Sequence, residues 1–378
     1  MVVKRQRDIL RLYPAVVDES ANVANQKIIK GRGSASRPDP RYLETSREAF
    51  DDGWANSDES APQLKTRVTD ERIASIINRN QSPDLPFNLS INPYRGCEHG
   101  CAYCYARPAH AYVDLSPGLD FESRLFAKPD APEILRRELS RRDYRCEPIS
   151  IGANTDCYQP LERKRGITRG IIEVLAECRH PLTIVTKSAL IERDLDLLAP
   201  MAERNLVQVF VSVTTLDREL ARRMEPRAAA PQRRLETQRR LAAAGIPTGV
   251  MVAPVIPALN DHELESILTA AAESGCRFAG YIVLRLPREV RPLFKDWLAS
   301  HYPLRAEHVL SRVRQIRGGE ESDSQFGRRM KGEGVFAELL KRRFENKARE
   351  LGIERSRHEL NCADFRKPGR NRDQLELF

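Results

Sequence analysis

The chain has 378 residues, with 62 Lys and Arg against 53 Asp and Glu, a formal charge of +9, and a mean hydropathy of −0.51. With 41% hydrophobic and 30% charged residues it is too apolar to be wholly disordered and too polar for a membrane protein. No run approaches the roughly 18 apolar residues of a transmembrane helix, and the N-terminus lacks the apolar core of a secretory signal, so a soluble cytoplasmic protein with no membrane partner is expected.

Residues 1–84 read as an N-terminal arm, partly disordered or wrapped around a core built elsewhere. The arm runs through GRGSASRPDPR and FDDGWANSDESAPQ, which are rich in turn residues. Within TRVTDERIASIINRN a short helix is expected to start after Thr69, with Asp70 and Glu71 in its first turn. From Phe87 onward short apolar runs alternate with helical periodicity. Strands are expected at 88–94, 148–154, 181–187, 207–215, 247–256 and 278–286. Most of these runs are rich in β-branched residues, as in strands buried on both faces. Helices are expected at 131–139, 168–179, 189–204, 233–245 and 261–275. The last two end in Gly, a common helix stop.

This alternation predicts an α/β fold over 85–290, a parallel sheet forming a partial (β/α)6 barrel with right-handed crossovers. A helical C-terminal extension follows over 291–351, with charged helices on both sides of the loop GGEESDSQFGRRMKGEG. A basic tail, 352–378, ends in an apolar pentapeptide.

Three of the eight cysteines fall in Cys97-Glu98-His99-Gly100-Cys101-Ala102-Tyr103-Cys104, just after the first strand. Three thiolates this close on one loop suit a soft metal or an iron–sulfur cluster. Three sulfurs leave one iron of a four-iron cluster open to a small ligand. Zinc is the competing metal, with His99 or His110 as fourth ligand. The other cysteines are widely spaced and form no second cluster motif. Eight cysteines in a chain this long do not look like a disulfide framework.

Cys-x3-Cys-x2-Cys with an aromatic before the last cysteine, after strand one of a β/α barrel, resembles the radical SAM superfamily. The text NPYRGCEHGCAYCYARPAHAY is more narrowly similar to the group related to spore photoproduct lyase. The resemblance covers about residues 85–290. It implies that Cys97, Cys101 and Cys104 ligate a [4Fe–4S] cluster whose open iron is chelated by S-adenosylmethionine (SAM). Reductive cleavage of SAM would then yield a 5′-deoxyadenosyl radical that takes hydrogen from a substrate. By the same resemblance Tyr103 lies near the adenine, and Asn154, Thr155 and Asp156 end strand two where the SAM amino group is received. Lys187 and Ser212 hold its carboxylate and ribose. Cys157 is a candidate catalytic hydrogen-atom donor. It follows the strand-two polar group, however, whereas the lyases' donor cysteine precedes it. That departure puts the pyrimidine-dimer lyase reaction in doubt.

The last five residues, Gln374-Leu375-Glu376-Leu377-Phe378, resemble the peptide with which bacterial polymerases and repair proteins dock to the DNA sliding clamp. Leu375, Leu377 and Phe378 suit an apolar groove, and Gln374 an anchoring hydrogen bond. The tail therefore implies the clamp as partner and DNA as target, in repair or modified-base processing. RNA or protein modification, and a non-catalytic metal-binding adaptor, are the competing readings. An unidentified electron donor is required for the radical chemistry.

Of the basic residues 50 are Arg and 12 Lys, a skew that a GC-rich genome also produces. ARRMEPRAAAPQRRLETQRR, the last helix and FGRRMKGEG are the candidates for phosphate contacts, against the plainer reading of solvated helix faces. Aromatic content of 6% does not signal a stacking platform for single strands.

Overall fold

The structure, a computed structural model, describes residues 29–42, 64–354 and 359–369. Six strands carry the fold: β1 (Leu89–Ile91), β2 (Ile149–Ile151), β3 (Leu182–Thr186), β4 (Val207–Ser212), β5 (Thr248–Val255) and β6 (Phe278–Val283). They pair side by side in chain order, all parallel, with Leu89 opposite Ile149, Ile149 opposite Leu182, and Leu182 opposite Val207. The ladder continues with Val209 opposite Thr248 and Gly249 opposite Phe278. Every residue of β1, β2 and β4 is buried, which is why these strands read as unbroken apolar runs rather than as alternation.

Helices cover the sheet. They are α1 (Ala131–Leu139), α2 (Ile167–Glu177), α3 (Leu195–Glu203), α4 (Arg218–Met224), α5 (Pro231–Ala243) and α6 (Leu264–Glu273). In α1 the buried positions are Ala131, Ile134, Leu135 and Leu139, the stripe that a 3.6-residue period presents to one side. The apolar faces of α1, α2, α3 and α5 meet β1 to β4 in the principal core, while α4 and α6 pack in two further clusters. The α/β architecture with a parallel sheet stands as expected.

The arm departs from expectation. Residues 67–70 are a strand, not the start of a helix. Arg67–Asp70 pairs in parallel with Arg124–Ala127, which also pairs antiparallel with Tyr94–Arg95. The β-branched Val68 and Thr69 suit this small second sheet, and long-range pairing overrides the helix-start signal of Asp70 and Glu71. Ile77–Arg79 adds an antiparallel strand outside β1.

The C-terminal helices α7 (Val290–His301), α8 (Ala306–Gln315) and α9 (Gly334–Glu350) are built into the same body. Phe294, Trp297 and Leu298 of α7 share a core with Cys101, Ala102 and Tyr103, while Leu340 and Phe344 of α9 pack among the residues of α6. The loop between α8 and α9 closes a seam. Met330 accepts a hydrogen bond from the Val283 N–H at the end of β6, and Arg329 pairs with Asp84 beside β1 at 2.6 Å. The two ends of the sheet are thereby drawn together. Among the described residues no helix is long and apolar enough to cross a membrane.

Candidate active site

The loop carrying the three cysteines crosses the C-terminal end of β1 and is held from below by a fully buried ion pair. Arg107 donates to the Cys101 carbonyl through Nε and Nη2, at 3.0 and 2.8 Å, and to the Gly118 carbonyl at 2.9 Å. Its partner is the Glu122 carboxylate, and neither side chain is exposed. Glu122 in turn accepts the backbone N–H groups of Gly33 and Ser34, each at 3.0 Å, so the arm is tied to the same carboxylate. A buried charge pair costs desolvation that only complete hydrogen bonding offsets, and here nearly every lone pair has a donor.

Cys97 and Cys101 are buried, Cys104 is half-buried, and all three are free thiols. Burial raises the Cys97 thiol well above its usual value. It lifts Cys101 to about 12, against the opposing pull of the Lys187 ammonium. Ligation of a metal would expel those protons. The donor set, three thiols on one loop within electrostatic range of one another, is of the soft kind that suits an iron–sulfur cluster. Each candidate zinc histidine has one ring nitrogen engaged. His99 Nδ1 lies 3.3 Å from Asp156, and His110 Nε2 lies 2.9 Å from the Arg124 carbonyl.

The remaining predicted residues gather at the C-terminal ends of the strands. Asp156, after β2, accepts from Thr186 Oγ1 and the Lys187 N–H, both at 2.7 Å, from the Tyr158 N–H at 2.9 Å, and from His99. Burial works against its charge, but His99 and these donors hold it well below the usual carboxylate range. Its oxygens are thus committed to joining β2, β3 and the cysteine loop. Thr155 is buried with its hydroxyl on the Tyr94 carbonyl at 2.9 Å, and Asn154 alone of the three is exposed. The Lys187 ammonium lies 6.0 Å from the Tyr103 ring centroid. Burial lowers its pKa, but Cys101 and the Glu225 carboxylate outweigh that and raise it, so it stays charged. Ser212 is buried at the end of β4, and its carbonyl accepts Arg234 Nη1 at 3.1 Å. Cys157 is not with the others. It lies fully buried in the principal core, and burial pushes its thiol up.

Sequence reasoning missed a second buried pair, Glu225 with Arg234. The Tyr103 hydroxyl donates to Glu225, Thr214 Oγ1 donates to it at 2.7 Å, and Arg234 bonds its other oxygen. Arg234 and then Lys187 hold Glu225 down at about 2 against its burial. The pair fixes Tyr103 beside Cys101. Nothing in the sequence marks it, because Glu225, just after α4, and Arg234, in α5, meet Tyr103 of the cysteine loop only in the fold. The same region disappoints as a phosphate binder. Six of the seven arginines in 221–240 are in ion pairs with carboxylates of this chain.

Comparison with known proteins agrees with this arrangement. The sequence profile of the radical SAM superfamily matches residues 91–271. An uncharacterized protein of Mycobacterium tuberculosis strain H37Rv is 40% identical over 234 residues, 61% of this chain and 68% of the relative. One of Methanocaldococcus jannaschii is 26% identical over 239 residues, 63% of this chain and 85% of the relative. Among solved structures, spore photoproduct lyase complexed with dinucleoside spore photoproduct superposes with a TM-score of 0.55 at 16% identity, over 76% of this chain and 80% of that one. A mutant of that lyase with bound AdoMet and dinucleoside spore photoproduct gives 0.53 at 16% identity, over 72% and 78%. At that identity the likeness is one of fold. The profile match across the cysteine loop and sheet, with the 40% relative, shows that the chain belongs to the radical SAM superfamily, whose cofactors are a [4Fe–4S] cluster and S-adenosylmethionine.

Proposed function

We propose that this radical SAM enzyme acts on DNA, in the repair or processing of a modified base. The observation that carries the reading is the fold shared over 76% of the chain with a lyase whose structure holds a dinucleoside photoproduct. Cys97, Cys101 and Cys104 would hold the cluster. When bound, the cluster and SAM supply a 5′-deoxyadenosyl radical that takes a hydrogen atom from the substrate.

The chain's own residues prepare the site for that chemistry. Lys187, charged and next to Cys101, suits the SAM carboxylate. Asn154 is the exposed member of the strand-two group and suits the SAM ammonium, while Asp156 and Thr155 act as positioning residues through Lys187 and Tyr94. Tyr103, anchored on Glu225, would flank the adenine, and Ser212 the ribose. A donor to a substrate radical must reach it, so the buried Cys157 is not carried forward in that role. Docking to the sliding clamp through Gln374, Leu375, Leu377 and Phe378 belongs to the proposal on sequence alone, because these residues lie outside the described ones. A separate protein or small reductant supplies the electron.

The test is anaerobic incubation of the reconstituted chain with SAM, a reductant and ultraviolet-irradiated DNA. Release of 5′-deoxyadenosine should rise when the DNA is present and vanish in Cys101→Ala. Equal release with and without any DNA would overturn the choice of substrate.

A further inference from the structure

Among the described residues four large aromatic side chains are exposed, and each lies under an arginine. The Arg41 guanidinium sits 5.1 and 5.5 Å from the ring centroids of Tyr42 and Tyr112, which are 5.4 Å apart. Arg285 sits 5.6 Å from Tyr105, and Arg329 covers Phe326 at 4.6 Å. The first two groups meet at one place. Tyr105 directly follows Cys104, and its hydroxyl donates to the Ala153 carbonyl at the end of β2. Arg285 and Arg288 lie just past the C-terminal end of β6, and Arg41 is joined to this segment by its pair with Glu289 at 3.3 Å. Tyr112, then Arg41 and Arg288, lower the Tyr42 hydroxyl from its ordinary value, so these side chains are neighbours.

Two properties mark this edge. Among the described residues neither Arg285 nor Arg288 has a carboxylate partner in a salt bridge, in contrast with the paired arginines of 221–240. Arg288 also holds a left-handed backbone, φ 51°, which a non-glycine residue keeps only where its surroundings impose it. The Arg288 side chain is exposed.

We propose that Tyr105, Tyr112 and Tyr42, with Arg41, Arg285 and Arg288, form a rim that binds unpaired DNA, stacking bases on the tyrosines and meeting phosphates with Arg285 and Arg288. This rests on the DNA reading above and narrows it to a single strand or an extruded nucleotide. Exposed π-faces backed by guanidinium groups are what unstacked bases bind, whereas a paired helix offers its phosphates and keeps its base faces hidden. A rim beside the cluster loop would deliver such a base to the mouth of the sheet.

Binding of the cluster-loaded chain to a fluorescein-labelled single-stranded oligonucleotide, and to the same sequence as a duplex, tests this by anisotropy. The single strand should bind more tightly. Tyr112→Leu and Tyr105→Leu should each weaken it about tenfold, Tyr112→Phe should not, and iron content should stay at the level of the unaltered chain in Tyr112→Leu, whose side chain is exposed. Arg288→Gln should reduce the salt dependence. Leu variants that bind the single strand like the unaltered chain would overturn the rim. If DNA still stimulated 5′-deoxyadenosine release, that result would leave the choice of DNA standing. Capture of single-stranded RNA without single-stranded DNA would overturn the commitment to DNA itself.

Discussion

Gly33 has no room for a side chain. A Cβ there would lie 1.6 Å from the Gly100 carbonyl oxygen and 2.8 Å from its carbon, and both are backbone atoms that cannot swing away. Gly100 itself holds φ at +68°, between Cys97 and Cys101 and against Glu122. The arm therefore docks on the cysteine loop backbone to backbone, with Glu122 receiving the Gly33 and Ser34 N–H groups. Gly33→Ala must displace either the arm or the loop, and the arm's gain is smaller than the core's. We expect the variant to fold, with an unchanged far-ultraviolet circular dichroism spectrum, but to retain several-fold less iron after reconstitution. Ser34→Ala keeps the backbone N–H and should load normally. Full iron content in Gly33→Ala would show that the arm plays no part in shaping the loop.

Segment 359–369 acts as a strap across the end of the sheet opposite the cysteine loop. The Asn361 N–H donates to the Asn205 carbonyl and the Arg366 N–H to Cys178, while Lys367 Nζ reaches the carbonyls of Arg141 and Arg142 at 2.8 and 3.0 Å. Phe365 is its apolar anchor, 5.6 Å from the Tyr144 ring and 5.2 Å from His180. For a half-buried ring the loss in Phe365→Ala is about 1–2 kcal/mol, smaller than for a core phenylalanine. Hydrogen exchange should report it as faster exchange over 359–369 with the sheet unchanged. Such a strap was not legible in the sequence, where it reads as a polar tail, because its contacts reach back across the chain to residues that no local period connects. The six strands were legible for the opposite reason. Burial on both faces writes itself as a contiguous apolar run, and each run sits within a residue or a few of its strand. Residues 67–70 failed because Asp70 and Glu71 imitate a helix start, while their partner strand at 124–127 is only four residues long. At the site, the crowding of Cys97, Cys101 and Cys104 on one loop was readable from their spacing. Arg107, Glu122, Glu225 and Arg234 were not, since a charge that pairs in the interior looks in sequence like any charge on the surface.

At the scale of the whole molecule these buried charges and histidines set how the fold responds to acid. His180 is buried, with Nδ1 2.9 Å from the Pro181 carbonyl and Nε2 2.7 Å from the Tyr144 hydroxyl. That geometry suits the neutral ring, with Nδ1 donating and Nε2 accepting. Burial lowers His180 from 6.5 to about 4, and burial does the same to His110. A histidine depressed on folding binds its proton more readily in the unfolded chain. Its contribution is therefore complete above the unfolded value of 6.5 and is lost as pH falls toward 4. The buried carboxylate adds a second stage. Glu225 is depressed from 4.5 to about 2 because Arg234 and Lys187 outweigh its burial, so its contribution begins to fail only below 4.5. Acid should then weaken the protein in two steps, histidines first and the Glu225–Arg234 pair afterwards, with the first step worth a few kcal/mol in total. Denaturant midpoints of the unaltered chain and His180→Gln, taken at matched iron loading between about pH 7 and pH 4, isolate the first step. Matched loading lets the acid lability of a cluster cancel from the comparison. The amide can still donate to Pro181 and accept from Tyr144, but it takes up no proton, so the variant's midpoint should fall less steeply. Equal slopes would place the acid sensitivity elsewhere, and a shallow slope in both chains would mean that His180 already titrates near its ordinary value.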